Sequence, residues 1–398
     1  MKKKLMILGA SILQLPAIIN AIELGLDTIV VDMNPQAIGF KIEGIKKEII
    51  STNDIPAILM AAKKHKIDGI MTLATDLPMR SVAKVTKELN LIGIDENTAL
   101  KATNKYEMRN ALKKHGVPIP IFYKVSTEQE YIDVVKNMTL PFIVKPVDSS
   151  GSRGIFKISS FENIDELKYA YEYSKKYSHV GDVMVEEYME GFEVSVETLS
   201  VDGVCNVIQI TDKLTTGAPH FVEIGHSQPT KLSKKIAQDI ANVAIKANKA
   251  IGIKNGPSHT EIIVTEDGPK IVELGARLGG DNIATHLVPL STGINIVESC
   301  IKIAIGEKPD ITSKFYKASA IRYFNQKAGK IKNIEGIETA KNIAGIKQIN
   351  LVYNIGEEIT EINSSSSRMG FVISQNENID MAINNCIEAI DKIKITIE

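Results

Sequence analysis

The sequence predicts a mixed α/β and α+β protein: an N-terminal parallel-sheet nucleotide-fold domain, a small lid-like α+β subdomain and a C-terminal domain that contains a sheet. Three observations carry this reading. The first ninety or so residues alternate short apolar runs with amphipathic stretches, the pattern of strands joined by crossover helices. The middle of the chain is a series of strand-like runs separated by tight turns. At 398 residues the chain is also too long for one ordinary core and suits two or three packed units.

In the N-terminal part, Leu5 to Gly9, Thr28 to Asp32 and Gly69 to Leu73 read as strands, with helices over Leu13 to Leu24 and near Ser81 to Leu89. Gly9-Ala10-Ser11 marks a tight strand-to-helix turn, but the G-x-G-x-x-G dinucleotide pattern is incomplete. Asn104 is placed to cap a helix that Gly116 closes, which puts Lys105 in its first turn. Strands are then expected at Phe142–Pro146, Gly154–Ile158, Val183–Met189, Glu193–Leu199 and Val204–Thr211, with a helix around Ile164 to Tyr177. A long amphipathic helix follows from Leu232 to Ile251. His259–Val264 and Lys270–Leu274 flank Glu266-Asp267-Gly268, a hairpin signal. Beyond Gly306 the chain reads as a smaller strand-rich appendage with a Ser364–Ser367 loop and a last helix from Ile379 to Ile393. The expected domains are 1–95, 96–310 with the lid at about 122–200, and 311–398.

Composition narrows the function. With 47 basic and 48 acidic residues the net charge is -1, so no global field draws the chain to nucleic acid or an anionic membrane. Three widely spaced cysteines, Cys205, Cys300 and Cys386, fit neither a disulfide framework nor a metal site. The basic start is interrupted by Gln14, Pro16 and Asn20 before any cleavage signal, so a cytoplasmic protein is expected.

The most informative pair is Glu261 and Glu273. They are equidistant from Asp267 and should face each other on paired strands among apolar neighbours. Like charges so placed are destabilising, and a divalent cation between them removes the difficulty; a solvent-facing acid pair with Arg277 in a surface ion pair is the alternative. Magnesium, which manganese can replace, takes one or two carboxylates and fills its shell with phosphate and water oxygens. Period-two geometry then puts Gly275 and Arg277 on the face of Glu273. Lys145, inside an apolar strand, invites an anion. The small loop after it, with Ser150 and Gly151, can offer backbone N–H groups to phosphate. Lys105 sits where the helix dipole disfavours a cation, which either a nearby phosphate or simple solvation would explain. Near Val185 to Glu193, a connector could read an adenine edge by backbone groups while Met189 packs against the ring, with Glu193 accepting from ribose hydroxyls.

The order Lys105, Lys145, Glu186 to Glu193, Glu261, Glu273, Arg277 resembles the ATP-grasp superfamily of carboxylate–amine ligases, over about Ala99 to Ile303. The resemblance implies the ATP-grasp fold and binding of ATP phosphates by Lys105 and Lys145, with Ser150 and Gly151 in the loop above. It implies adenine contacts from Glu186, Tyr188 and Met189, ribose contact from Glu193, and metal binding by Glu261 and Glu273. Arg277 would steady the acyl-phosphate intermediate, with the N–H groups of Gly279 and Gly280 helping to hold the oxyanion. Gly275 stands where the family often has Asn. The segments Gly275–Asn282 and Phe221–Pro229 look like the L-amino acid ligase branch, in which Glu223 and His226 would line a substrate pocket; an exposed Gly/Pro loop is the alternative for the latter segment. His220, His259 and His286 carry no stronger claim. The expected partners are a small carboxylate and an amine, without nucleic acid or membrane, and a homodimer is the assembly to test. Phosphoribosylamine–glycine ligase shares the scaffold and is the rival within the class. A non-catalytic nucleotide-binding regulator and a nicotinamide-dependent oxidoreductase are the rivals outside it.

Overall fold

The structure is a computed structural model and describes residues 2–149, 151, 153–218 and 221–398. Its first unit is a parallel sheet of β1 (Lys4–Leu8), β2 (Asp27–Val31), β3 (Ile45–Glu48) and β4 (Gly69–Thr72), in the order β3-β2-β1-β4. The helices α1 (Leu15–Glu23), α2 (Ile55–His65) and α3 (Met79–Leu89) pack on it. Alternate residues of β1 serve two cores: Met6 and Leu8 pack with α2 and α3, and Leu5 and Ile7 pack on the opposite side. A parallel sheet buried on both faces reads as unbroken apolar runs for this reason.

Helices α4 (Glu96–Thr103) and α5 (Lys105–Lys114) lead out of this unit. Asn104 caps α5, its side chain accepting from the N–H groups of Tyr106 and Glu107. The lid is a second four-stranded sheet of β5 (Phe122–Val125), β6 (Phe142–Pro146), β7 (Phe156–Ile158) and β8 (Val183–Glu187), backed by α6 (Glu128–Val135) and α7 (Ile164–Lys176). Its sheet stops at Glu187, so residues 192–201, at the end of the span expected for the lid, run in the large sheet instead.

That large sheet has eight strands in the order β13-β12-β9-β10-β11-β14-β18-β16. They are β9 (Phe192–Val201), β10 (Val204–Thr215), β11 (Glu223–Gln228), β12 (Gly256–Thr265), β13 (Gly268–Gly275), β14 (Ala318–Tyr323), β16 (Ile346–Leu351) and β18 (Gly370–Asn376). The strand-rich end of the chain is therefore continuous with the middle through the β11–β14 pairing. A small sheet of β15 (Gly329–Glu335), β17 (Glu358–Ile359) and β19 (Lys394–Ile397) borders it. Along this part of the chain run α8 (Lys234–Ile251), α9 (Val288–Thr292), α10 (Ile296–Ala304), α11 (Ile337–Lys341) and α12 (Ile379–Lys392).

The two faces of the large sheet do different work. Val194, Val196, Ile262, Ile271 and Leu274 point to one side and pack against Ile240, Val243 and Ala244 of α8. Ala320 and Val372 pack on that side against α12. The residues at alternate positions carry the carboxylates, lysines and histidines described next. One face thus buries apolar area at about 25 cal/mol per Å², which holds the polar face in shape. Among the described residues no single helix is long and apolar enough to cross a membrane.

Candidate active site

Glu261 and Glu273 are direct partners across β12 and β13. The hairpin closes with Thr265 opposite Gly268, and this register would set Val272 against Glu261. A bulge after Ile262 slips the pairing by one, so that Glu273 arrives opposite Glu261. The bulged Val272 offers its carbonyl to Arg109 at 2.8 Å. Both carboxylates open into one cavity of about 190 Å³ under the lid, with 25% and 30% of their side chains exposed.

Cations neutralise them. The Lys105 ammonium reaches Glu273 at 2.9 Å and the Ser149 carbonyl at 2.7 Å. On β10, Lys213 lies 3.1 Å from Glu261, 2.5 Å from Glu193 and 3.7 Å from Glu223. Burial opposes charge on Lys213, but Glu261, Glu193 and Glu223 hold it protonated well above the usual lysine range. His259, two residues before Glu261 on the same face, sits between Glu197 and Glu261. Burial alone would lower its pKa; Glu197 first and Glu261 second raise it to about 9, so the ring is an imidazolium at neutral pH. With these neighbours Glu261 stays ionised well below the ordinary carboxylate range, although burial opposes it.

Under the lid, Lys145 of β6 and Arg109 of α5 converge on Glu186 of β8. Lys145 is 2.6 Å from one carboxylate oxygen, and Arg109 spans both at 2.8 and 3.1 Å. Burial would raise the Glu186 pKa, yet the two cations hold it at about 2. Burial, then the nearby Arg109 and Lys105, lower that of Lys145. At the base of the loop after β6, Asp148 accepts from Ser178 and from the N–H groups of His179 and Val180.

Past the end of β13, Arg277 makes a two-bond pair with Asp76, a residue of the N-terminal unit just after β4, at 2.9 and 3.1 Å. A side chain at Gly275 would place its Cβ 2.5 Å from that carboxylate, which explains the glycine. Gly279 is held the same way. Its N–H donates to the buried Glu197 at 3.0 Å, and a Cβ there would lie 2.5 Å from the same carboxylate. Asp281 takes both ends of the Arg368 guanidinium at 2.8 and 2.7 Å and faces His226 at 3.4 Å.

Residues 138–285 match the ATP-grasp domain, and residues 322–398 match the L-amino acid ligase C-terminal domain 2. The chain thus carries an ATP-grasp domain followed by an L-amino acid ligase C-terminal domain. An L-arginine-specific L-amino acid ligase of Bacillus subtilis is 28% identical over 288 residues, covering 71% of this chain and 69% of its own length. The phosphoribosylamine–glycine ligase of Methanocaldococcus jannaschii is 26% identical over 403 residues, covering 94% and 89%. The fold matches the crystal structure of the L-amino acid ligase from Bacillus licheniformis with a TM-score of 0.84 at 24% identity, over 100% of this chain and 99% of that one.

In this chain Lys105, Lys145, Gly151, Glu186, Tyr188, Met189, Glu193, Glu223, Glu261, Glu273 and Arg277 all line the one cavity, whereas Ser150 and His220 lie outside the described residues. Several expectations change in detail. Lys105 is buried and paired, so simple solvation does not describe it. Glu186, besides lining the cavity, is a buried counter-ion for Arg109 and Lys145. The N–H groups of Glu187 and Tyr188 already donate to the carbonyls of Ile121 and Pro141. Gly279 does not serve as an oxyanion donor, because its N–H is committed to Glu197; Gly280 borders a neighbouring cavity.

Residues 223–228 form a strand inside the sheet, not an exposed loop. A bulge opposite Leu214 and Thr215 brings Glu223 and His226, three positions apart, onto the face of Lys213. Glu223 lines the cavity, whereas His226 is 1% exposed, faces Asp281 and is part of the lining of neither cavity. The sequence reading missed Lys213, Glu197, Arg109 and Asp76. His259 could have been found, since period two from Glu261 places it on the same face.

Proposed function

We propose that this chain is an ATP- and magnesium-dependent ligase that activates an amino acid carboxylate as an acyl phosphate and couples it to an amine, releasing ADP and phosphate. The observation that carries the reading is the pairing of Glu261 with Glu273 across one bulged hairpin, open to a cavity that also receives Lys105, Lys145 and Arg277. Two facing carboxylates with residual exposure suit magnesium, or manganese in its place. The bound ion would neutralise charge on the transferring phosphate.

The chain's own groups supply the rest. Lys105 and Lys145 reach into the cavity from α5 and β6, where they can orient phosphate oxygens. Met189 and Tyr188 form the end suited to the adenine ring, and Glu193 lines the same cavity from β9, where it can accept from ribose hydroxyls. The substrate carboxylate attacks the γ-phosphorus and ADP leaves. Arg277, aligned by Asp76, then faces the carbonyl oxygen while the amine attacks and phosphate departs, the phosphate taking up the proton that the amine loses. Gly151, which lines the cavity beyond the anchored Asp148, helps to keep water from the activated acid.

A nucleotide-binding regulator would have no need of paired acids beside an aligned arginine. The match of the last 77 residues to an L-amino acid ligase domain favours amino acids over the phosphoribosylamine reaction. Phosphate release screened against amino acids singly and in pairs, with phosphoribosylamine plus glycine included, tests this. Glu273→Gln should lower turnover by about 100-fold or more with its unfolding midpoint retained; wild-type-like turnover would remove Glu273 from the metal assignment.

A further inference from the structure

The polar face of the large sheet continues beyond the first cavity. His226 pairs with Ile321 and Tyr323 with Phe371, and Gln348 and Asn350 follow on the same side of β16. Over this stretch lies a second cavity of about 370 Å³, closed on its far side by the β1–α1 turn. The same two chain segments border both cavities: Ala74, Gly279 and Gly280 line the second, while Gly275 and Arg277, the latter tied to Asp76, line the first.

The chemistry of this second space is specific. Ile12, Leu13, Ile19 and Val352 present apolar side chains to it although they are 64%, 46%, 39% and 60% exposed. The β1–α1 turn, where a parallel-sheet domain would offer backbone N–H groups to a phosphate, is already filled. Gln14 accepts there from the Ser11 N–H and hydroxyl and donates to the Leu73 carbonyl at 2.6 Å. The one guanidinium in the lining, Arg368, is spent on Asp281 and lies 3.7 Å over the Tyr323 ring. Burial keeps His286 toward its neutral form. Among the described residues the lining therefore offers no uncompensated cation, and a dianionic phosphate there would be buried without a partner.

We propose that this second cavity holds the amine substrate, and that it takes an amine on an apolar body that carries no phosphate: an apolar amino acid amide fits as it stands, and an apolar amino acid fits with its single carboxylate held by the side-chain amides of Asn282, Gln348 and Asn350 in the lining. This rests on the ligase reading above, which gives no role to any residue lining this cavity. Amines enter past Gly280 and meet the activated carbonyl at Arg277. Apolar contacts of this kind discriminate by about 10- to 200-fold.

The test separates the two readings. Hydroxylamine, small enough to need no pocket, traps the activated acid of the wild-type protein as a hydroxamate, and this step reports the ligase reading by itself. Leucine, phenylalanine and leucinamide should then be coupled with kcat/KM about tenfold or more above that for glutamate, lysine or phosphoribosylamine. In Ile12→Glu and Val352→Glu, both at exposed positions that tolerate charge, the ratio of leucine coupling to hydroxamate formation should fall about tenfold. An unchanged ratio, or phosphoribosylamine as the preferred amine, overturns the cavity assignment while hydroxamate formation upholds the ligase. Absence of hydroxamate with every acid tried removes both.

Discussion

At the scale of single residues the site is a charge-balanced cluster, and Lys213 is the group on which the balance turns. It answers Glu193 and Glu261 at contact distance and Glu223 slightly farther off. Lys213→Met should leave these carboxylates facing one another and cost about 3–5 kcal/mol. Millimolar magnesium should return part of that loss in a urea titration, since a divalent ion supplies the missing positive charge; no difference with and without magnesium would argue against the metal assignment. Lys213 was invisible in the sequence because its partners lie 20, 10 and 48 positions away on other strands, whereas Glu261 and Glu273 share one hairpin and could be paired by counting. Glu186 gives a pH signature. Its pKa falls from 4.5 to about 2 on folding, so its contribution is complete above 4.5 and disappears as pH drops from there toward 2. The stability gap between wild type and Glu186→Gln should therefore be widest near neutral pH and narrow between pH 4.5 and 3, read from urea midpoints. A gap independent of pH would mean that the Arg109 and Lys145 pairing does not hold that carboxylate ionised.

At the scale of elements, strands and helices were legible wherever one periodicity ran unbroken. The long helix α8 and the cap at Asn104 are examples, each set by local pattern. What local pattern could not show was the bulge. Counting from Asp267 reaches the correct partner for Glu261, but the turn itself is centred between Glu266 and Asp267, and the extra residue Val272 restores the match. The same holds for β11, where Gly225 and Pro229 look like loop punctuation and the bulge conceals the alternation. Glycines within these elements are then spatial requirements. Gly279→Ala would drive a methyl to 2.5 Å from Glu197 and 2.7 Å from His259. It should cost about 1–3 kcal/mol and weaken the hydrogen bond that fixes the turn after Arg277. A drop in both the urea midpoint and turnover is expected, and an unchanged midpoint would show that the turn has room to shift.

At the scale of the molecule, the sequence announced three units but not that the catalytic face is completed by two of them. The large sheet runs without a break from β13 to β16, since the edge of β11 is covered by β14 from the C-terminal part. The N-terminal unit adds Asp76, 201 residues from its partner Arg277. Gly275 alone hinted at such a visitor, because bare backbone in a polar face leaves room for a side chain from elsewhere. If Asp76 aims the guanidinium, Asp76→Asn keeps the shape but breaks the two-bond fork, and kcat should fall about 100-fold while KM for ATP shifts less than about twofold. A purely structural role would instead lower the unfolding midpoint and leave kcat of the folded fraction alone. Geometry supplies a rescue: a Cβ at position 275 falls beside the Asp76 carboxylate, so a carboxylate carried there can occupy the vacated space. Asp76→Gly should lose kcat as Asp76→Asn does, and adding Gly275→Asp should recover at least about tenfold of it, whereas Gly275→Asp alone, colliding with Asp76, should be impaired. Failure of the double variant to exceed Asp76→Gly would mean that the N-terminal unit contributes more to Arg277 than one well-placed negative charge.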